Sequence, residues 1–127
     1  QFAKTVQQTS NTHQRQFMNL EQEQRADILI LRPVGRLDSS SSPELERVLT
    51  EHLTAGVQRL VFDFSAIDYI SSAGLRVVLL AAKKLRATRG KLALAGLQDI
   101  VREVFDMSGF LALFIVTATV DEACAQV

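Results

Sequence analysis

The sequence predicts an α/β domain built on a mainly parallel or mixed sheet. Short apolar runs of strand length alternate with longer segments whose apolar residues recur at helical spacing, which is the pattern of β-α-β units. The chain has 127 residues, of which 47% are hydrophobic. That is enough for one domain whose core needs neither a disulfide nor a metal.

The N-terminal segment is predicted to lie outside this domain. Residues 1–17 are polar and follow neither the period of a strand nor that of a helix, which indicates a mobile tail or an extension. We expect the domain to span residues 18–127, and Met18 is a candidate for the native start. The domain begins with an edge strand in "MNLEQEQ", and the apolar run in "DILILRPVG" is a buried strand.

A first helix is predicted after the serine run of "GRLDSSSSPELERVLTEHL". Ser42 is a preferred N-cap residue, and Pro43 suits the first helical position because its missing N–H is not needed there. Gly56 ends the helix. Its apolar face consists of Leu45, Val48, Leu49 and Leu53.

The middle of the chain predicts a strand, a loop and a long helix. "RLVFDFS" is a second buried strand, and "AIDYI" is a loop that leads into a helix from about Ser72 to Ala87. The loop and the helix start therefore follow the carboxyl end of a strand, where α/β proteins usually bind ligands and partners. The apolar face of the helix consists of Leu75, Val78, Leu79, Ala82 and Leu85, and its basic face of Lys83, Lys84 and Arg86.

The C-terminal third continues the alternation. "KLALAG" is a strand, "LQDIVREVFDMSG" is a short helix stopped by Gly109, "LFIVT" is a final strand, and "DEACAQ" forms a last helical turn or two. The residues of the short helix that we expect to face inward are Ile100, Val101, Val104 and Phe105.

Composition argues against several functions. Lys plus Arg and Asp plus Glu number 14 each, so the neutral chain offers no electrostatic basis for binding nucleic acid or an anionic membrane. The longest wholly apolar run, Val77–Ala82, is too short to span a bilayer. Cys124 is the single cysteine, which favours a reducing, cytoplasmic location.

Catalytic and metal-binding patterns are scarce in the sequence. No Gly-rich phosphate loop or G-x-S-x-G elbow is present. His13 and His52 are the only histidines, and neither has metal-ligand spacing to Cys124, so no metal or cofactor is expected. Asp63 and Asp68 bracket a strand end and a loop, where a capping or turn role is several times more common than a carboxylate pair.

The remaining candidate site is the junction "AIDYISSAGLRVVLL". Ser71 and Ser72 begin the helix, and one of them suffices as a cap, which contributes about 1 kcal/mol. Gly74 costs stability inside a helix but lets another backbone approach closely. A phosphate on Ser72 would place about two negative charges at the positive helix end, so the fold would survive while a packed partner would be displaced. Spacing alone makes a plain cap the more common explanation.

Three segments resemble the STAS domain of bacterial anti-sigma factor antagonists in order and spacing. They are "GRLDSSSSPELERVL", "RLVFDFSAIDYISSAGLRVVLLAAKKLRATRGKLALAGL" and "VREVFDMSGF", and the resemblance extends from about Met18 to the C-terminus. It implies a mixed four- to five-stranded sheet with helices packed mainly on one side. It also implies a regulator of transcription that acts by partner switching and is not an enzyme.

The resemblance further implies two partners and one modification. The unmodified antagonist binds an anti-sigma factor that is also a serine kinase, the kinase uses ATP to phosphorylate and release it, and a PP2C-type phosphatase resets it. No nucleic acid or membrane insertion is implied. The phosphorylated serine of the family lies two residues before the motif glycine, which makes it Ser72 here, with Ser71 as the second choice. Ser71 replaces a family Asp, and Ala73 replaces a second hydroxyl residue.

The same resemblance predicts a partner-binding surface around the junction. Asp38, in "GRLD", matches a family Asp near that surface, although a turn role explains it equally well. Tyr69 and Arg76 flank the switch, and exposed aromatic and Arg side chains are typical interface anchors, although Tyr69 suits the core equally. The predicted surface consists of Asp38, Tyr69, Ser71, Ser72, Gly74 and Arg76.

Two other functions stay open from the sequence. STAS-like domains also serve as subunits of transport systems that dock on an ATPase without phosphorylation, and the missing Asp favours this alternative. An enzyme or small-molecule sensor would use the corner formed by Asp63, Asp68 and Ser72, but no base-nucleophile pair is evident there.

Overall fold

The computed structural model describes residues 19–127, so the tail predicted for residues 1–17 and the start at Met18 lie outside the described residues. The strands are β1 (Asn19–Arg25), β2 (Ile28–Leu37), β3 (Arg59–Asp63), β4 (Ile67–Ile70), β5 (Lys91–Ala95) and β6 (Ile115–Thr117). The helices are α1 (Ser42–Thr54), α2 (Ser72–Ala87), α3 (Asp99–Met107) and α4 (Val120–Gln126), with a 3₁₀ turn at Leu111–Leu113.

The sheet is mixed, as the sequence predicts. Its strand order is β1-β2-β3-β5-β6, and β4 pairs with β2 beside this path. β1 is the expected edge strand and runs antiparallel to β2, whereas the other pairings are parallel. The sheet has six strands rather than four or five, because Ile67–Ile70, predicted as a loop, forms β4. Four residues are too few for a period to show in the sequence.

Side chains of the central strands alternate between two cores. Leu31 and Phe62 face the larger core, to which α1, α2 and α3 all contribute buried residues. Ile30 and Val61 face the smaller core, which is closed by Ala123 of α4. The helices therefore pack mainly on one side of the sheet, as expected, and α4 covers part of the other. Within residues 19–127, no helix combines the length and apolar character needed to cross a membrane.

The start of α1 corrects the predicted cap. Ser41, not Ser42, is the N-cap residue, and its side chain makes no capping hydrogen bond. Its Oγ instead donates to the carbonyl of Arg36 at 2.7 Å. Ser42 is buried, and its Oγ has no hydrogen-bond partner within the described part of the chain. In a run of four serines, cap preference alone cannot choose between neighbours.

Two predicted helix faces also differ from the structure. Ile100 is 58% exposed, because α3 packs through Val101 and Phe105, one turn apart, and a residue just before that stripe points toward solvent. On α2, Val77 and Ala81 are fully buried. The half-buried residues of the predicted apolar face are Leu79 and Ala82.

Candidate functional site

The predicted junction lies where two paired parallel strands end together. β2 pairs with β4 in two steps, and the register shifts between Gly35 and Arg36. Gly35 has a φ of 106°, which favours glycine, and its N–H donates to the carbonyl of Ala66 at 2.9 Å. After the shift, Leu37 is the partner of Ile70. The residues that follow the two strands therefore emerge at the same edge of the sheet.

Ser71 is the N-cap of α2. Its Oγ accepts a hydrogen bond from the N–H of Ala73 at 3.2 Å, and its carbonyl accepts from Leu75 at 2.9 Å. Its own N–H donates to the carbonyl of Leu37 at 2.9 Å. Ser71 thus satisfies one orphan donor at the start of the helix, the N–H of Ala73, and ties the helix start to the end of β2.

Ser72 has a different environment from its neighbour. It occupies the first position of α2, and its side chain is exposed, whereas Ser71 is half-buried. Because Ser71 supplies the cap, the hydroxyl of Ser72 is not needed for it. The structure therefore separates the two serines that the sequence leaves as alternatives.

Gly74 is buried, and its close neighbours belong to this chain. A Cβ atom at this position would lie 2.8 Å from Cγ1 of Ile70 and 2.9 Å from both Cγ and the carbonyl oxygen of Leu37. The expectation that Gly74 makes room for a partner is corrected accordingly. The missing side chain lets α2 start directly against the ends of β2 and β4.

Asp38 organises the turn between β2 and α1. Its Oδ1 accepts hydrogen bonds from the backbone N–H groups of Ser40 at 3.0 Å and Ser41 at 3.2 Å. The hydrogen bond from the N–H of Ser41 is the main reason that the pKa of Asp38 lies below its usual value. The turn role is thus present, while Oδ2 lies 3.5 Å from Nε of Arg36 at the surface.

Arg36 lies within the candidate site, although it is not among the residues predicted from the sequence. Its guanidinium carbon lies 4.1 Å from the centroid of the Tyr69 ring, and the two residues are register partners in β2 and β4. Tyr69 is half-buried beneath this cation, while Arg36 is exposed. Arg36 therefore links Asp38 to Tyr69. The pairing could be found only by recognising β4 as a strand.

Arg76 lies on the exposed surface of α2, one turn after Ser72. Its guanidinium is 3.3 Å from Oε1 of Glu46 on α1, and the Arg76 side chain remains 68% exposed. Residues four apart share a helix face, so Ser72 and Arg76 are neighbours on the surface. Glu46, which is not among the predicted site residues, joins α1 to this surface.

The carboxylate corner considered for an enzyme does not assemble. Asp63 follows Phe62, which faces the larger core, so its side chain points to the opposite face of the sheet from α2. There its Oδ2 lies 3.4 Å from Nε of Arg32, and its Oδ1 accepts from the N–H of Ser65. Asp68 is exposed on β4.

Histidine and cysteine have local roles in the described structure. Nε2 of His52 lies 2.8 Å from Oε1 of Gln22, and burial lowers the pKa of the imidazole. Burial raises the pKa of the Cys124 thiol on α4. Within residues 19–127, no group of three His, Cys, Asp or Glu side chains could hold a metal ion. His13 lies outside the described residues.

Comparison with known proteins gives a consistent result. Residues 19–123 match the family model of the STAS domain. BtrV of Bordetella bronchiseptica, assigned as an anti-sigma factor antagonist, is 44% identical over 108 residues, which cover 85% of this chain and 93% of BtrV. An anti-sigma-B factor antagonist of Staphylococcus aureus is 26% identical over 92 residues, covering 72% of this chain and 85% of that protein.

Solved structures share the fold at lower identity. The anti-sigma factor antagonist SpoIIAA in its unphosphorylated form has a TM-score of 0.76 at 23% identity, covering 84% of this chain and 94% of SpoIIAA. The similarity shows that this chain and SpoIIAA share the same arrangement of sheet and helices.

Proposed function

The chain belongs to the STAS domain family, and we propose that it is a cytoplasmic anti-sigma factor antagonist switched by phosphorylation of Ser72. In the unmodified state it binds an anti-sigma factor that is also a serine kinase. Phosphorylation releases it, and a PP2C-type phosphatase restores the binding form. BtrV, at 44% identity, supports the antagonist role over that of a transport subunit.

The observation that carries this proposal is that Ser71 caps the helix while Ser72 does not. The cap hydrogen bond belongs to the half-buried Ser71, and the exposed hydroxyl at the first helical position belongs to Ser72. A kinase can therefore modify Ser72 without removing a hydrogen bond that begins the helix. Ser71 is the second choice as acceptor, because its modification would sacrifice the cap.

The chemical step leaves the fold in place. The Ser72 oxygen attacks the γ-phosphorus of ATP, the bond from that phosphorus to the bridging oxygen breaks, ADP departs, and a base of the kinase takes the hydroxyl proton. The product carries about two negative charges at the N-terminal end of a 16-residue helix, where the helix dipole favours them. The dianion therefore acts on the partner rather than on the stability of this chain.

The surrounding side chains form the proposed partner surface. Arg36 and Arg76 are exposed and already paired with Asp38 and Glu46, so the surface is close to charge balance before modification. A partner that fits this balance would meet an uncompensated dianion after phosphorylation, and like charges at an interface cost several kcal/mol. Tyr69 and Ser71 complete the surface, while Gly74 supports it from below.

The phosphorylation test uses candidate kinase-type anti-sigma factors with ATP and intact-protein mass spectrometry. We expect one phosphate on the wild type and none on Ser72→Ala. Ser40→Ala is the matched control, because Ser40 is also an exposed serine near this edge. A phosphate that persists in Ser72→Ala would move the switch to another residue.

The binding test follows the same partner before and after modification. We expect phosphorylated protein and Ser72→Asp to bind the kinase more weakly than the wild type, and Ser72→Ala to stay bound in the presence of ATP. If this protein instead bound a transport ATPase with an affinity that ATP did not change, the result would support a constitutive subunit of a transport system. Turnover of a small molecule that is lost in Ser72→Ala would support an enzyme.

A further inference from the structure

The opposite end of α2 carries a concentrated positive charge. Residues 83–91 contain five cations and no carboxylate. All five cations are exposed, and they are Lys83, Lys84, Arg86, Arg89 and Lys91. Because the whole chain is neutral, this basic surface is a local feature that the net charge conceals.

These cations differ from most of the arginines elsewhere in the described structure. Six of the seven arginines outside the basic surface within residues 19–127 form ion pairs, namely Arg25, Arg32, Arg36, Arg47, Arg59 and Arg76, and the exposed Arg102 of α3 forms none. The five cations of the basic surface form no such pair with any carboxylate of residues 19–127. Residues 1–18 contain no Asp or Glu that could supply one. These five charges therefore face solvent without a carboxylate partner in the described structure.

An apolar groove runs beside the basic surface. It lies between α2 and residues 113–115, with a volume of about 290 Å³, and continues toward Leu79 as a region of about 200 Å³. Its floor includes Ala82, Leu113 and Phe114, of which Leu113 is 63% exposed. Phe114 is held edge-on against Phe105, with ring centroids 5.8 Å apart. Its cationic lining residues are Lys83, Arg86 and Lys91.

We propose that this groove docks an acidic segment of a partner protein, anchored by its apolar side chains. The apolar floor has room for one or two aliphatic or aromatic side chains of the partner. The cations along its rim, Lys83, Arg86 and Lys91, can pair with carboxylates that lie between those side chains. A nucleic acid fits this surface less well, because its phosphates gain nothing from an apolar floor. The charge of the rim and the apolar floor together select the occupant.

The groove is independent of the switch at Ser72. Lys83, the groove cation nearest to the switch, lies 11 positions after Ser72, which is about 16.5 Å along the helix axis at 1.5 Å per residue. The Debye length at physiological ionic strength is about 8 Å, so a phosphate on Ser72 is largely screened at the groove. We therefore expect docking to persist in both states of the switch.

The direct test uses a short fluorescein-labelled peptide with Leu at positions i and i+4 and Glu between them. Its affinity is measured by anisotropy, and its position is mapped by amide chemical shifts in the full chain. We expect binding with shifts at residues 82–86 and 113–115. A control peptide with Gln in place of every Glu should bind about tenfold more weakly. No binding, equal binding of the Gln peptide, or shifts elsewhere would overturn the proposal.

Matched charge variants locate the effect. Lys83→Glu with Arg86→Glu should weaken the acidic peptide about tenfold or more. Lys84→Glu with Arg89→Glu changes the net charge equally, but Lys84 lines a different groove on the other side of α2, beside Thr50. This control should bind within about threefold of the wild type. Equal losses in both pairs would overturn the groove as the site.

Two further experiments distinguish peptide docking from nucleic-acid binding and from an effect of the switch. Leu113→Ser should weaken the peptide by removing part of the floor, while a duplex oligonucleotide should fail to displace it. Displacement by the oligonucleotide would assign the surface to nucleic acid and overturn the proposal. Ser72→Asp should leave peptide affinity unchanged, so a failure of the groove and a failure of the switch give different results.

Discussion

The two ends of α2 use charge in opposite ways. At the N-terminal end, the exposed Arg36 and Arg76 already have carboxylate partners, and Ser72 offers a hydroxyl that can gain charge. At the C-terminal end, residues 83–91 carry permanent positive charge without partners in the described structure. One added phosphate changes the charge of the balanced surface and so changes its binding. The permanently charged surface attracts an acidic partner whether or not Ser72 is phosphorylated. One helix can thus separate regulated binding from constitutive docking.

At each end of α2, a glycine lets other atoms of the chain come close to its Cα: Gly74 at the start and Gly90 just after the end. Replacing either glycine gives the largest expected loss of stability. A Cβ at Gly90 would lie 2.6 Å from the carbonyl oxygen of Gln58, comparable with the contacts described for Gly74. We expect Gly74→Ala and Gly90→Ala each to lower the free energy of unfolding by about 1–3 kcal/mol. At an uncrowded helical site, Gly→Ala would raise it by about 1 kcal/mol.

The measurement for the glycines is urea unfolding followed by circular dichroism. Gly109→Ala isolates backbone strain from crowding, because a Cβ at Gly109 meets nothing within 4 Å and a φ of 80° alone costs about 1–2 kcal/mol. Wild-type stability of Gly74→Ala would show that the helix start is not closely packed against β2 and β4.

The next effect separates the two serines. Ser71→Ala should lose about 0.5–2 kcal/mol of stability, because the N–H of Ala73 loses its acceptor. Ser72→Ala should stay within about 0.5 kcal/mol of the wild type, because its side chain is exposed and does not cap the helix. Thermal unfolding of the pair measures both. Equal losses would contradict the assignment of the cap to Ser71 alone.

A smaller effect concerns the pair that joins α1 to α2. Glu46 and Arg76 are 35% and 68% exposed, so their coupling should be about 0.2–1 kcal/mol and should fall with salt. A double-mutant cycle with Glu46→Gln and Arg76→Gln, read by chemical unfolding at low and high salt, measures it. Coupling that does not change with salt would show that the pair is not a surface ion pair.

The smallest effect is the pH dependence carried by Asp38. The N–H of Ser41 lowers the pKa of this carboxyl in the folded state, so the folded state favours the carboxylate. Its contribution is therefore fully present above the unfolded pKa of about 3.9 and is lost as pH falls through the lower folded value. The difference in urea midpoint between the wild type and Asp38→Asn should narrow below about pH 4. A difference independent of pH would assign the effect to another group.

The long elements of this fold are visible in the sequence because their periodicity is long enough to read. The bounds of α2, Ser72–Ala87, agree with the prediction, since 16 residues show several turns of one apolar stripe. β4 escapes prediction because four residues with an exposed Asp68 look like a connection. Its strand character comes from pairing with β2, which is a tertiary contact.

The candidate site was only partly accessible from sequence for the same reason. Ser71 and Ser72 could be found, since cap preference and family resemblance both point to the helix start. Arg36 and Glu46 could not, because their places beside Tyr69 and Arg76 depend on how β2, β4 and α1 meet. The explanation for a glycine at position 74 also differs: the sequence predicts room for a partner, whereas the structure shows close packing against Leu37 and Ile70.

The most direct test compares the affinity of the kinase-type anti-sigma factor for two forms of the full chain, unmodified and carrying phosphoserine installed only at position 72. We expect phosphorylation to weaken binding by about 100-fold, while the amide spectrum shows a folded domain changed only near the start of α2. Equal affinity of the two forms, or loss of the folded spectrum, would contradict a switch that acts on the partner through Ser72.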